Sequence, residues 1–316
     1  MLTAKKLFAK MHEEESHKLN PKQNQDKLYK KKNIVFDRDN GKNIQFIYKH
    51  YTCKEPNKAF SIDDYKFDSD KLYDIGTFPR GILTIINVEE FTNAISDEEK
   101  RVGTRKDAKE LCNLFLKLGF NVHRLDNPNL KDVTDILKKT ANEDVSKMSC
   151  YVVAVLTHGE QGKIRCCDKL LNINDIIKEI CAPPLAEKPK LLLVQACRGS
   201  TFMPSLSSDK LKNISKKGNL LDLPAESNLL CAYATVDDYV SFRSDDGSWF
   251  IQAIVSNFKK YALKMDVVRI LTRVNGDISL KKSKSVCNEN KNSKQVGCIV
   301  SRLRKELFLP PLYGPL

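Results

Sequence analysis

The chain has 316 residues, 41% of them hydrophobic and 29% charged, with a formal net charge of +13. That balance describes a globular protein with material for a sizeable core, as two average domains or one large α/β domain, and it excludes a disordered chain of low hydrophobicity. No stretch approaches 18 apolar residues and the N-terminus carries no apolar signal segment, so neither a membrane span nor secretion is expected.

The charge is unevenly spread. Residues 1–60 hold 14 Lys/Arg against 7 Asp/Glu, a net +7 that leaves +6 for the other 256. About half of the excess thus lies in a polar segment containing Lys30-Lys31-Lys32, the pattern of a solvated basic tail, and no nucleic-acid partner is expected. Ten cysteines are diluted in a long chain, and several sit inside apolar runs. There is no C-x-x-C pair, and the five histidines do not stand at zinc-ligand spacings. These features predict a reduced, cytoplasmic protein without a metal or other cofactor.

In chain order, residues 1–60 lack sustained periodicity apart from a helix-like start at 2–11, and are expected to form a flexible leader. The run Gly81-Ile-Leu-Thr-Ile-Ile-Asn87 is short, apolar and bounded by turn signals, which suits a buried strand. Residues 107–118 are apolar at 108, 111, 112, 115, 116 and 118, a helical spacing that Gly119 ends. A second strand is expected at 122–125 and a second helix at 130–140. Cys150-Tyr-Val-Val-Ala-Val-Leu156 is apolar on both faces, as in parallel sheets covered by helices on two sides. A short amphipathic helix at 173–180 precedes another apolar strand at 191–194. Residues 199–222 are rich in Ser, Lys, Asn and Asp and read as a long exposed loop, of the kind that is functional or disordered. A strand at 229–234, helices at 249–263 and 267–274, a polar loop at 279–296 and a last segment at 298–307 complete the chain. The alternation of helix and strand predicts a βαβ-type sheet.

Two reactive residues directly follow the two most apolar strands: His158 in Thr157-His-Gly-Glu160, and Cys197 in Gln195-Ala-Cys-Arg-Gly199. Parallel strands place their C-terminal ends on one rim, and the 39-residue separation fits one crossover, so the two residues face each other there. An imidazole beside a thiol supplies the thiolate needed for acyl transfer. Gly159, without a side chain, lets its N–H approach a carbonyl oxygen, and the N–H of Cys197 is the second candidate oxyanion donor.

Gln195-Ala-Cys-Arg-Gly199 resembles the active-site signature of the caspase family. The resemblance runs over residues 62–316, through Ile85-Ile86-Asn87, Arg101-Val-Gly-Thr104 with Asp107-Ala108, Lys188-Pro-Lys190, Ala232-Tyr233, Ser241-Phe-Arg243, Gly247-Ser-Trp-Phe-Ile-Gln252 and Ile270-Leu-Thr-Arg-Val-Asn275. It implies an α/β fold, a three-layer sandwich with a mostly parallel central sheet and helices on both faces. It further implies an aspartate-specific cysteine endopeptidase made as a zymogen, with Cys197 and His158 catalytic. Arg101, Arg243 and Gln195 match the pocket for the substrate aspartate; two guanidinium forks bind a carboxylate bidentately, which a lysine does poorly. Ser241 matches a position whose backbone pairs with the substrate, Val240 and Phe242 line the next subsite, and Trp249 walls the fourth. The implied organisation is a leader at 1–60, a large subunit at 61–209, a linker at 210–222 and a small subunit at 223–316. Asp209, Asp222 and Asp39 are the processing candidates, with Asp26 a further one. A strand at 299–307 is expected to pair across a homodimer axis. The implied partners are proteins with an aspartate before the cleaved bond, an upstream caspase and inhibitor-of-apoptosis type regulators, in programmed cell death. The alternative is a catalytically silent homologue that regulates active caspases by dimerising with them.

Overall fold

The computed structural model describes residues 29–37, 45–54, 70–92, 100–142, 145–160, 162–199, 227–283, 293–312 and 316. The helix-like start at 2–11 and Asp26, Asp39, Asp209 and Asp222 lie outside them, as do residues 200–222 of the loop expected at 199–222.

The strands are β1 (Tyr29–Asp37), β2 (Gln45–Cys53), β3 (Gly81–Asn87), β4 (Phe120–Asp126), β5 (Cys150–Leu156), β6 (Gly159–Glu160), β7 (Lys163–Arg165), β8 (Leu170–Asn172), β9 (Lys190–Gln195), β10 (Leu229–Tyr233), β11 (Arg243–Ser244), β12 (Gly247–Ser248) and β13 (Cys298–Ser301). The helices are α1 (Thr104–Lys117), α2 (Leu130–Ala141), α3 (Ile173–Ile180), α4 (Trp249–Tyr261) and α5 (Val267–Leu280). Eight strands form one sheet in the order β1-β2-β4-β3-β5-β9-β10-β13. The centre is parallel, β4 to β3 to β5 to β9 to β10, and both edges are antiparallel.

Alternation along each central strand divides its side chains between two cores. Leu83, Ile85, Val152, Ala154, Leu191 and Leu193 join α1, α4 and α5 on one face. Ile82, Ile86, Tyr151, Val153, Leu192 and Val194 join α2 and α3 on the other. Both faces are covered, which is the expected three-layer sandwich, and each fully buried Leu or Ile contributes about 2 kcal/mol of transfer free energy. Helix starts follow from local chemistry. At α2 the Asn129 side chain accepts from the Asp132 N–H while Asp132 accepts from the Asn129 N–H, a reciprocal cap. At α5 Asp266 accepts from the N–H groups of Val268 and Arg269.

Two expectations need correction. Residues 29–37 and 45–53, expected within a flexible leader, are a hairpin that extends the sheet beyond β4. Its β2 strand buries Tyr51 and Cys53 in the first core, and Cys53 Sγ donates to Phe120 O at 2.7 Å. Lysines and His50 interrupt its apolar residues and hide the period of two. The last strand is Cys298–Ser301 and does not continue to residue 307. Leu307 instead turns into the first core, its carbonyl accepting from the Val267 N–H.

The hairpin docks on β4 through a histidine pair. His50 and His123 are directly opposed in the β2–β4 register, with ring centroids 4.8 Å apart at 82°. Tyr48 lies edge-on to His123, and Lys32 and Lys139 bring further positive charge. Burial pushes His123 down to about 3, with His50 and Lys139 adding repulsion, and burial also lowers His50. The His123 imidazole is therefore neutral when folded and His50 is shifted toward its neutral form, whereas the unfolded chain takes up protons at both near pH 6.5. Their contribution to stability is present above that pH and is lost as pH falls below it. Between pH 7.5 and 5.0, urea unfolding should lose about 2 kcal/mol through His123, and His123→Phe should reduce that loss.

Candidate active site

His158 and Cys197 stand on one rim because β5 and β9 are in parallel register. Leu156 is paired with Gln195, the Thr157 N–H donates to Gln195 O at 3.1 Å, and each reactive residue lies two positions beyond the paired one. The next backbone step closes the approach. A Cβ on Gly159 would stand 2.6 Å from Cys197 O, so only glycine lets the β6 segment lie against the Cys197 backbone.

Each reactive side chain is held by neighbours. The His158 ring rests on Phe91, centroids 5.2 Å apart, and the Arg165 guanidinium covers that phenyl ring at 4.5 Å. Phe91 is buried with Val88 and Cys167. On the other strand, the Arg198 N–H donates to Tyr239 O at 3.0 Å and the Asp238 N–H to Arg198 O at 3.1 Å. The Arg198 side chain pairs with Asp237 and stacks on Tyr233 at 4.2 Å. These contacts fold residues 235–241, which follow β10, over the Cys197 turn.

As a result Ser241 reaches the thiol. Its N–H donates to Cys197 Sγ at 3.5 Å, and Gln195 Nε2 donates to Ser241 Oγ at 3.0 Å. The Ser241 N–H, expected to meet an extended peptide, is here directed to sulfur. Val240 and Phe242 are half-buried on the same segment, and Phe242 stacks on Trp249 with centroids 4.8 Å apart. Lys281 Nζ lies 5.8 Å from the Trp249 ring, beside the expected fourth subsite.

The two arginines converge from distant parts of the chain. Arg101 is 1% exposed, and its Nη1 donates to Val88 O at 2.9 Å and Thr104 Oγ1 at 2.8 Å. Its Nε and Nη2 have no hydrogen-bond partner among the described residues. Arg243 Nε donates to Val102 O at 2.7 Å, which sets the second guanidinium next to the first. Burial pushes Arg101 well below the usual arginine range and Arg243 adds repulsion; Asp107, Cys197 and Glu89 act the other way. Arg243 is lowered too, first by burial, against Asp107, Cys197 and Glu89. Arginine does not give up its proton in proteins, so these directions measure the need for an anion. Gln195 donates to Ser241, and its buried Oε1 has no partner among the described residues, so the unpartnered donors identified here are Nε and Nη2 of Arg101.

Three supporting residues escaped the sequence reading. Gln295, nearly fully buried, accepts from the Phe242 N–H at 2.8 Å and donates to Ala234 O at 2.7 Å, which fixes the 235–242 segment. Phe91 backs the imidazole, and Asp107 lies buried behind the arginines. Asp107 sat in a quoted motif, but nothing local marked it as buried.

Among the described cysteines all nine are free thiols. Burial pushes Cys112, Cys150 and Cys166 up to about 12, whereas Cys197 is half-exposed. Thiolates, not thiols, are alkylated. Iodoacetamide at pH 7.5 should therefore label Cys197 in the folded protein and spare those three, as read by peptide mass spectrometry.

The chain is similar to known proteins over most of its length. The model of the caspase domain matches residues 80–308. Caspase-3 of Mus musculus is 34% identical over 233 residues, covering 72% of this chain and 83% of its own length. Caspase-7 of Gallus gallus is 33% identical over 237 residues, covering 72% and 76%. The crystal structure of caspase-1 from Spodoptera frugiperda superposes with a TM-score of 0.69 at 29% identity, over 82% of this chain and 100% of that one. With a shared sheet, a shared signature around Cys197 and a family match over most of its length, the chain belongs to the caspase family of cysteine peptidases.

Proposed function

We propose that the chain is an endopeptidase that hydrolyses the peptide bond after an aspartate. The observation that carries this reading is the buried Arg101 guanidinium, with two nitrogens unpartnered among the described residues, beside Arg243 and within electrostatic reach of Cys197. Two cations held side by side favour one planar anion, and the nearby thiol supplies the nucleophile. A glutamate, one methylene longer, would shift the scissile carbonyl along the cleft.

In the reaction Cys197 Sγ, its proton taken by His158, adds to the carbonyl carbon, and the π electrons move to oxygen. The N–H groups of Gly159 and Cys197 are the donors assigned to that oxyanion. Collapse expels the amine, which takes the proton from the imidazolium and leaves a thioester. Water then adds with His158 as base, releasing the aspartyl carboxylate and regenerating the thiol. Every group required is a side chain or backbone amide of the chain.

The same reading makes the chain a zymogen, cut after Asp209 or Asp222 between a large and a small subunit and after Asp39 near the N-terminus. It pairs as a homodimer through β13, whose outer edge has no strand partner among the described residues. An upstream caspase as activator, inhibitor-of-apoptosis type regulators and a place in programmed cell death rest on family membership. No helix of the described residues is long and apolar enough to cross a membrane.

The test is hydrolysis of fluorogenic tetrapeptides varied at the residue before the cleaved bond, with Cys197→Ala as control. Turnover should require Asp at that position and vanish in the control. Arg243→Lys should lower kcat/KM for the Asp substrate by about 100-fold, since a point charge replaces a bidentate fork. Absence of turnover from the processed dimer would favour the silent homologue.

A further inference from the structure

The two arginines of the proposed pocket are 142 residues apart in sequence, yet both are referred to a single helical turn. Arg101 lies just before α1 and bonds Thr104, the first residue of that helix. One turn on, Asp107 is fully buried and reaches toward β12. Its Oδ1 and Oδ2 accept from the Ser248 N–H at 3.1 and 2.9 Å, and its Oδ1 accepts from Gln252 Nε2 at 2.8 Å. Ser248 is the residue directly opposite Arg243 in the β11–β12 pairing. The carboxylate therefore holds the strand position that faces Arg243, while Val102 O holds Arg243 from the other end.

Close approach confirms the docking. Gly247 has φ +99, and a Cβ there would overlap both Asp107 Oδ1 and Gln252 Nε2. Ser244 O packs as tightly on Gly103, the N-cap of α1, and Lys106 pairs with Asp246 at 3.1 Å across the surface. The charge accounting points the same way. Arg101 and Arg243 bring two positive charges and Asp107 one negative, while Glu89 is paired with Arg105. One positive charge is left for a single ligand carboxylate. The hydrogen bonds that Asp107 accepts from Ser248 and Gln252 all come from N–H donors, so it acts as an ionised carboxylate even though burial pushes its pKa up.

We propose that Asp107 is a positioning residue for specificity: by clamping the β11–β12 hairpin to the first turn of α1, it sets the spacing of Arg101 and Arg243 to fit an aspartate side chain and to reject the longer glutamate. This rests on the preceding assignment of an aspartate-specific peptidase.

The test uses the full processed chain bearing Asp107→Asn, which keeps the shape but removes the charge and one acceptor, and Gln252→Leu, which removes one donor. In Asp107→Asn, KM for an Asp tetrapeptide should rise at least about tenfold, with kcat changed less than about threefold. The Asp-over-Glu ratio of kcat/KM should fall by about tenfold or more, and Gln252→Leu should give a smaller shift of the same kind. An unchanged KM and ratio in the folded fraction, with only Tm lowered, would leave Asp107 a structural residue and overturn the proposal. If the wild-type chain cleaves nothing after Asp, the functional reading falls, and the clamp is decided by side-chain NMR of the Cys197→Ala chain. Hydrogen exchange at Arg243 Nε, which donates to Val102 O, should then quicken at least about tenfold in Asp107→Asn. No change in that exchange would overturn the clamp independently of any activity.

Discussion

Everything at the rim depends on the burial of β5 and β9 on both faces. A strand that is apolar on each side has no stable place except the interior of a sheet covered twice, and parallel pairing is the arrangement that helix crossovers allow there. Once Leu156 is paired with Gln195, the polar residues after the two strands emerge together. Their loops then follow the same rim: the 88–92 turn under His158, the β6–β8 sheet beside it, and the 235–241 segment over Cys197. The site is thus a consequence of core packing, with its chemistry added at strand ends.

Buried charge separates structure from site. Lys190 is 1% exposed, but its Nζ donates to Leu185 O and Ala186 O. Burial pushes Asp126 up, yet Arg124, Lys49 and Asn87 overcome this and hold it below the usual carboxylate range. Such groups have donors and acceptors matched within the fold. Arg101 differs, because half of its fork is matched and half is not, beside a second guanidinium. In a low dielectric that imbalance is costly, and it persists where a ligand supplies the missing partner.

The two edges of the sheet are managed differently. At one edge β1 presents Lys30, Lys31 and Lys32 to solvent, a charged border of the kind that opposes further strand addition. At the other, β13 carries Cys298, Ile299 and Val300, all half-buried and none charged. The basic run Lys30-Lys31-Lys32 therefore has a structural place on an outer strand.

The sequence by itself determined the central layers. Runs such as 81–87 and 150–156 are unbroken and bounded by turn residues, so burial alone set their type, and β3 and β5 have the expected limits. Cys197 and His158 stood out as candidates because each follows such a strand, and the resemblance of residues 195–199 to the caspase signature carried their assignment. What only the tertiary structure decided are relations between segments far apart in the chain. The hairpin of β1 and β2 is one, since its mixed Lys, His and Tyr residues show no clear period, and β2 finds its place only when β4 lies alongside. The pairing of Arg101 with Arg243, the support of Phe91 for His158, and the hold of Gln295 on Phe242 are others. Asp107 shows the reason most clearly. On a helix it reads as an ordinary surface acid, and only the approach of Gly247 and Ser248 from 140 residues away removes it from water and gives it a task. Periodicity reports which side of an element is buried, but not which distant groups bury it.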